Sequence, residues 1–361
     1  MKRVRVSELI PGMVTATDVF NFNGKMVLPK GLVLTDRIIT KLEMYSILSI
    51  QVEDNIQAAR PSDVQKNEAK DSHSSVLKRN PEFQKFNEEY NQTVDSFKDT
   101  INNLIEKNSP LETKALLRNT MDLLSIASGP YSAMDMLHSM RQYDDLTFAH
   151  SMNVSLICNV FGNWLNWSDE EIELLTLCGL LHDIGKLKIP DSIIKKPDKL
   201  TEKEYEVVKT HTVEGYHLLK AQNINVHVAN SALMHHEKCD GSGYPLGLDA
   251  TKIDKYAKIV AIADVYDAMT SARIYRGPLC PFRVIELFES EGLQKYDSLF
   301  IMTFLENVVI TYLHNEVRLS NDQIGEIVFM NKNALSKPIV RVGHDLIDLS
   351  REKDLHVDEI L

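Results

Sequence analysis

Five histidines and two aspartates, His150, His182, Asp183, His211, His235, His236 and Asp264, fall in one stretch of a 361-residue chain, and His235 and His236 are adjacent. Imidazole and carboxylate together suit Fe, Mn or Zn. The centre of the stretch is Leu180-Leu181-His182-Asp183-Ile184-Gly185-Lys186. Leu174, Leu177, Cys178 and Leu181 recur at helical spacing, which predicts a buried helix carrying His182, Asp183 and Lys186 at its C-terminal end. Unpaired, such ions cost several kcal/mol each, and a bound metal cluster removes that cost. Each of the seven residues is expected on a helix with apolar neighbours. The remaining histidines, His73, His138, His217, His227, His314, His344 and His356, read as surface or satisfied core residues.

Seven ligands exceed what one ion with open positions needs. Two ions about 3.5 to 4 Å apart, sharing a carboxylate and a hydroxide, would use them all, with Asp183 as the bridge. Coordination lowers the pKa of water from about 15.7 to about 7, so a bridging hydroxide is the expected nucleophile. Two divalent ions less two carboxylates and a hydroxide leave the core near about +1, and Lys186, Arg273 and Arg276 raise the pocket to about +4. Such a pocket favours phosphate. Arg273 and Arg276 stand three apart just past Asp264, where a continuing helix would let both fork onto phosphate oxygens.

The elements that must position these residues are mostly helical. From Gly129 to about Asn315 nearly every segment reads as helix, with capping boxes at Ser168-Asp169-Glu170-Glu171 and Thr201-Glu202-Lys203-Glu204. Asp240-Gly241-Ser242-Gly243-Tyr244-Pro245-Leu246-Gly247 is a loop no helix can cross. Upstream, residues 1–55 predict a small α+β accessory domain, with a strand near Val4, a hairpin turn at Asn23-Gly24, a helix at 36–44 and a closing strand from Ile47 to Val52. Residues 56–80 have the composition of a linker. Residues 81–128 form an amphipathic connector with Phe83, Phe86, Tyr90, Val94 and Phe97 on one face, able to pack within the chain or form a homodimer. Residues 129–315 hold the catalytic domain. Residues 316–361 predict a short β appendage with strands at Val317–Leu319, Glu326–Met330 and Ile339–Val342.

Composition narrows the partners. The formal net charge of -11 argues against a nucleic-acid polymer or an anionic membrane surface. No run is long and apolar enough to span a membrane, and none reads as a secretory leader. Cys158, Cys178, Cys239 and Cys280 are widely spaced without a CxxC pair, which suits free thiols in the cytoplasm.

At this point the motifs resemble a known family. His182-Asp183 is similar to the signature of the HD phosphohydrolase superfamily. The wider pattern resembles its HD-GYP subgroup, the bacterial cyclic di-GMP phosphodiesterases. The matching pieces are His150-Ser151, His182 to Lys186, His211, His235-His236-Glu237 with Asp240 to Pro245, and Asp264 to Ser271 followed by Arg273, Tyr275 and Arg276. Val4 to Val52 is similar to an accessory domain found before some HD-GYP modules.

The resemblance implies a mainly α fold, an HD-domain helical bundle. It implies a metal-dependent phosphodiesterase that opens cyclic di-GMP to linear pGpG and on to GMP by attack of a metal-bridging hydroxide. It makes His150, His182, Asp183, His211, His235, His236 and Asp264 the ligands of two divalent ions, Fe or Mn. Lys186 would join Asp183 in catalysis by contacting the scissile phosphate. Arg273 and Arg276 would hold phosphates, and Asp240, Gly243, Tyr244 and Pro245 would border the substrate and a diguanylate cyclase-type protein partner. Glu237 is expected to orient a ligand histidine. Members that bind three metals carry a glutamate four residues before the first histidine, where this chain has Leu146, so two ions are expected. Two-metal members often carry a tyrosine there, and Lys258, six before Asp264, replaces a commoner arginine. Two alternatives are a phosphodiesterase for another cyclic dinucleotide such as cyclic GMP-AMP, and a non-catalytic sensor.

Overall fold

An apolar residue every three or four positions turns Pro81–Lys107 into the longest helix, α1. The computed structural model describes residues 1–6, 9–10, 12–20, 26–34, 38–39, 42, 47, 49–53, 79–107, 109–140, 146–194, 196, 201–271 and 279–361. Helix α1 buries Phe83, Phe86, Tyr90, Val94, Phe97, Ile101 and Leu104. They lie against α4 (Leu146–Trp164): the Tyr90 hydroxyl reaches Asn153 Oδ1 at 2.7 Å and Phe97 meets Phe148 edge-on at 5.7 Å. The stripe that could have served a homodimer is thus closed within one chain.

Helices α2 (Thr113–Leu124) and α3 (Pro130–Ser139) complete this layer. Helix α5 (Asp169–Leu181) packs along α4, and its capping box closes as the sequence indicates, Ser168 with Glu171. A 3-10 turn, Ile184–Lys188, and the short α6 (Asp191–Ile194) lead to α7 (Glu202–Lys209), whose capping box pairs Thr201 with Glu204. Then come α8 (His211–Ala221), α9 (Val226–Met234) and α10 (Lys255–Thr270). Helix α10 is buried almost all round and packs on α4, α5 and α9, so it is the axis of the bundle. Helices α11 (Pro281–Leu287), α12 (Leu293–Lys295) and α13 (Ser298–Ile310) follow, with a π turn at Phe288–Gly292 between the first two.

Small β elements stand at both ends. Strand β1 (Lys2–Arg5) pairs antiparallel with β4 (Ser49–Val52), and β2 (Val19–Phe20) with β3 (Met26–Leu28). This unit has its own core, built from Val4, Leu9, Leu34, Ile39, Leu42, Ile50 and Val52 among others. The Asn23-Gly24 turn, most of the 36–44 helix and the linker up to residue 78 lie outside the described residues.

The C-terminal unit differs from its expectation. It is a five-stranded antiparallel sheet in the order β8-β7-β6-β5-β9, from β5 (Glu316–Leu319), β6 (Ile324–Phe329), β7 (Ile339–Val342), β8 (Asp345–Asp348) and β9 (Val357–Ile360). The two extra strands, Asp-Leu-Ile-Asp and Val-Asp-Glu-Ile, carry acids that hide their strand pattern. The sheet is also more than an appendage. Val317, Leu319, Ile327, Val340 and Val357 share one apolar core with the helices, and the Glu289 carboxylate accepts the Leu335 amide at 2.6 Å.

Candidate metal centre

Five helices and the turns at the ends of two of them deliver the seven residues to one point. His150 stands on α4, His211 opens α8 and Asp264 lies in the middle of α10. The other four are not helical as expected. His182 and His235 are the C-cap residues of α5 and α9, while Asp183 and His236 follow in turns. The helices end there because each cap imidazole bonds back into its own last turn: His182 Nδ1 donates to the Gly179 carbonyl at 2.7 Å, and His235 Nδ1 faces the Ser231 and Ala232 carbonyls at 3.0 Å. Two close backbone approaches fix the turns. A Cβ on Gly185 would lie 1.9 Å from the His211 carbonyl oxygen, and one on Gly243 would lie 2.4 Å from Glu237 Cα. Only glycine lets the Asp183 turn sit on α8, or the 240–247 loop sit on the His236 turn.

The seven side chains fall into two groups, Asp183 with His211, His235 and His236, and His150 with His182 and Asp264. Within each group one donor atom per residue lies within 4.8 Å of the others. Asp183 faces both. Its Oδ1 is 3.4 Å from His211 Nε2 and 3.6 Å from His235 Nε2, and its Oδ2 is 3.4 Å from His182 Nε2 and 3.8 Å from His150 Nε2.

The hydrogen bonds test whether a cation belongs here. His211 Nδ1 donates to the Val208 carbonyl at 2.7 Å, so in the neutral rings of His182, His211 and His235 the proton is on Nδ1 and Nε2 presents a lone pair. Two of these lone pairs, on His211 and His235, meet at 3.3 Å. His182 Nε2, Asp183 Oδ1 and His236 Nδ1 are buried with no hydrogen-bond partner. Buried acceptors without donors are costly, and divalent ions would satisfy them all. The donor set fits metal.

Charge follows the same geometry. Burial pushes His211 down to about 4 and His235 to about 3, outweighing the attraction of Asp183, and it holds His236 well below its ordinary range. Burial also opposes ionisation of Asp183 and Asp264, yet Lys186 with His182 and His211, and His150 with His236, keep the two carboxyls well below the usual carboxylate range. His150 goes the other way. Burial works against its protonation, but the carboxylates of Asp264 at 3.0 Å and Asp267 at 2.8 Å raise it to about 9.

Other expected residues have specific places. Lys186 Nζ pairs with Asp183 Oδ2 and keeps about 30% of its side chain exposed. Tyr244 is only 2% exposed and stacks on His236 with ring centroids 4.7 Å apart, so it braces a ligand candidate from behind. Asp240 accepts the Ser242 amide at 2.9 Å, holding its own turn. Glu237 does not orient a histidine: its carboxylate accepts the Leu246 and Leu248 amides at 2.7 and 2.9 Å, clipping the loop shut. Lys258 pairs with Asp297 at 3.1 Å. Arg273, Arg276 and the side chain of Leu146 lie outside the described residues. The residue that sequence reasoning missed is Asp267, which accepts from His150 Nδ1 and from the Ser271 hydroxyl at 2.9 Å. Its signal was there: it stands three residues past Asp264, on the same face of α10.

Residues 134–299 match the HD domain family. The chain is 33% identical over 213 residues to a cyclic di-GMP phosphodiesterase of Pseudomonas aeruginosa, an alignment covering 58% of this chain and 51% of that protein. It is 39% identical over 159 residues to a 3'3'-cGAMP-specific phosphodiesterase of Vibrio cholerae, covering 44% of this chain and 37% of the relative. With a cyclic di-GMP phosphodiesterase response regulator of Xanthomonas campestris it shares 46% identity over 135 residues, 37% of this chain and 36% of the relative. The chain thus aligns with about half or less of the length of each. The matched segment holds the His182-Asp183 pair and the loop closed on His236 by Gly243 and Tyr244, and it is over this segment that the chain is similar to the HD domain family and to these phosphodiesterases.

Proposed function

We propose that this chain is a metal-dependent phosphodiesterase that hydrolyses cyclic di-GMP to linear pGpG and then GMP. The observation that carries the reading is the pair of buried donor groups with one oxygen of Asp183 turned to each. His150, His182 and Asp264 would hold one divalent ion, His211, His235 and His236 the other, and Asp183 both. When bound, a pair of Fe or Mn ions supplies Lewis acidity and lowers the pKa of water toward about 7.

The chain's own residues do the rest. The Val208, Gly179 and Ser231 carbonyls fix three imidazoles in the tautomer that presents Nε2, and Asp267 fixes His150. Lys186, partly exposed on a short turn, can swing from Asp183 to a phosphate oxygen and neutralise the leaving group. Arg273 and Arg276 are assigned to the phosphates by their spacing. The buried Tyr244 keeps solvent from the back of His236. Such a pocket attracts a small dianion in spite of the chain's net charge of -11.

The wider organisation goes with this reading: an accessory unit at 1–55, a linker at 56–80, a connector at 81–128, the catalytic module at 129–315 and a β unit at 316–361. The four free thiols support a cytoplasmic location. Among the described residues no helix is long and apolar enough to cross a membrane. A diguanylate cyclase-type partner would meet the exposed Leu246 on the 240–247 loop, and a homodimer through 81–128 would use the polar face of α1. The relative specific for 3'3'-cGAMP supports a second reading, in which cyclic GMP-AMP is the substrate.

The test is metal analysis of protein purified without air, with product chromatography on both dinucleotides. Wild-type protein should hold about two ions and release pGpG or GMP, and Asp183→Ala should lose both properties, with turnover down at least about a thousandfold. Full activity in that variant refutes the bridge. Binding without product over hours makes the chain a sensor instead.

A further inference from the structure

We infer that α7 forms the subsite for the second nucleotide of the substrate, with Tyr205 stacking its purine and Lys209 meeting its phosphate. The inference rests on the cyclic-dinucleotide reading above and adds residues that no motif of the family assigns. The Lys209 ammonium lies 5.0 Å from the centroid of the Tyr205 ring and 6.0 Å from that of Tyr244. Tyr244 in turn stacks on His236 at 4.7 Å. A cation and a partly exposed aromatic ring therefore stand one residue's width outside the metal centre, on the side where His211 begins α8.

A cyclic dinucleotide carries two phosphates and two purines. With one phosphodiester at the centre beside Lys186, the other nucleotide must extend along a wall and needs both charge and a flat surface there. Lys209 and Tyr205 provide that pair one helical turn apart. In the structure Lys209 pairs with Glu206 at 2.8 Å; the Lys209 side chain is 12% exposed and that of Glu206 67%, so a phosphate would take the place of the exposed carboxylate at a lysine already held against the protein. A base on Tyr205 would displace a cation that now lies over its ring, Lys209 at 5.0 Å or Arg3 at 5.4 Å.

The N-terminal unit reaches the same ring. The guanidinium of Arg3, on β1, lies 5.4 Å from the Tyr205 centroid and 3.7 Å from the Glu202 carboxylate, and its Nε donates to Ser49 Oγ of β4 at 2.8 Å. Whatever moves β1 and β4 thus bears on the subsite, which gives the accessory unit a route to substrate affinity.

The experiment uses the full-length, metal-loaded protein. Bis(4-nitrophenyl) phosphate, a diester without a purine, reads the centre alone, and cyclic di-GMP reads centre and subsite together. Tyr205→Leu and Lys209→Met should each raise KM for cyclic di-GMP about tenfold relative to KM for the small diester. Each should weaken binding of a phosphorothioate analogue of cyclic di-GMP by a similar factor in calorimetry, with metal content kept. Arg3→Ala should give about threefold. Equal effects on both substrates, or none on either, overturn the subsite. Wild-type protein that cleaves the small diester and neither cyclic dinucleotide overturns the functional reading instead.

Discussion

Two buried clusters containing histidine border α10, and they are built on opposite plans. In one, His138 Nε2 and the Tyr266 hydroxyl meet at 2.8 Å, His138 Nδ1 and the Tyr312 hydroxyl at 2.7 Å, and the two hydroxyls at 3.1 Å. Every polar group there closes on a neighbour, and the imidazole stacks flat on Tyr312 at 5.0 Å. In the other, around Asp183 and Asp264, lone pairs face lone pairs and buried acceptors have no donor. The first cluster is finished by the chain itself. The second is finished only by something added, and that difference separates a core histidine from a ligand far better than burial does.

The contrast can be broken by experiment. The largest effect should come from His235→Ala, which strips one donor group: metal content should drop to about one ion per chain and turnover by about a thousandfold. Retention of both ions would place the site elsewhere. Asp267→Asn leaves all seven proposed ligands in place and removes only the acceptor behind His150, so metal affinity should fall by about 10- to 100-fold, as titration against a competing chelator would reveal.

Tyr312→Phe is the counter-case. It leaves a His138 nitrogen short of a partner in the closed cluster, at a cost of about 1–3 kcal/mol and a Tm lower by about 2–4 °C, while metal content and turnover stay at wild-type values. Loss of metal in that variant would make the two clusters one system.

The smallest signals are protonic. Burial holds His211 at about 4 and His235 at about 3 in the folded chain, below the ordinary 6.5. The unfolded state therefore binds more protons in this window, and the metal-free protein should lose stability as pH falls from 6.5 toward 3, seen as a falling midpoint in urea. His150, raised to about 9 by Asp264 and Asp267 against the pull of burial, carries its proton at pH 8. Metal uptake at that pH should release about one proton, readable with an indicator dye in weak buffer.

Much of this was legible in the chain. The period of Phe83 to Phe97 announced α1, Ser168 and Thr201 announced two helix starts, and the clustering of five imidazoles with two acids announced the centre. These are local signals, set by residues within a few positions of one another. Asp267 and Glu237 were harder, because a carboxylate's partner is chosen by whatever backbone or ring the fold brings to it. Glu237 follows His235 and His236 directly in sequence, yet its acceptors are spent on amides nine and eleven residues away. The acidic strands β8 and β9 were missed because an edge strand can carry charge on any position that faces water.

Residue types and spacing by themselves determined that this chain is a helical bundle with a polar, metal-capable centre, since neither the helical period nor the donor set depends on long-range geometry. Only the tertiary structure decided how the seven residues divide, which oxygen of Asp183 meets which group, and which face of α1 was already taken. Those are distances between segments far apart in the chain, and packing around α10 sets them.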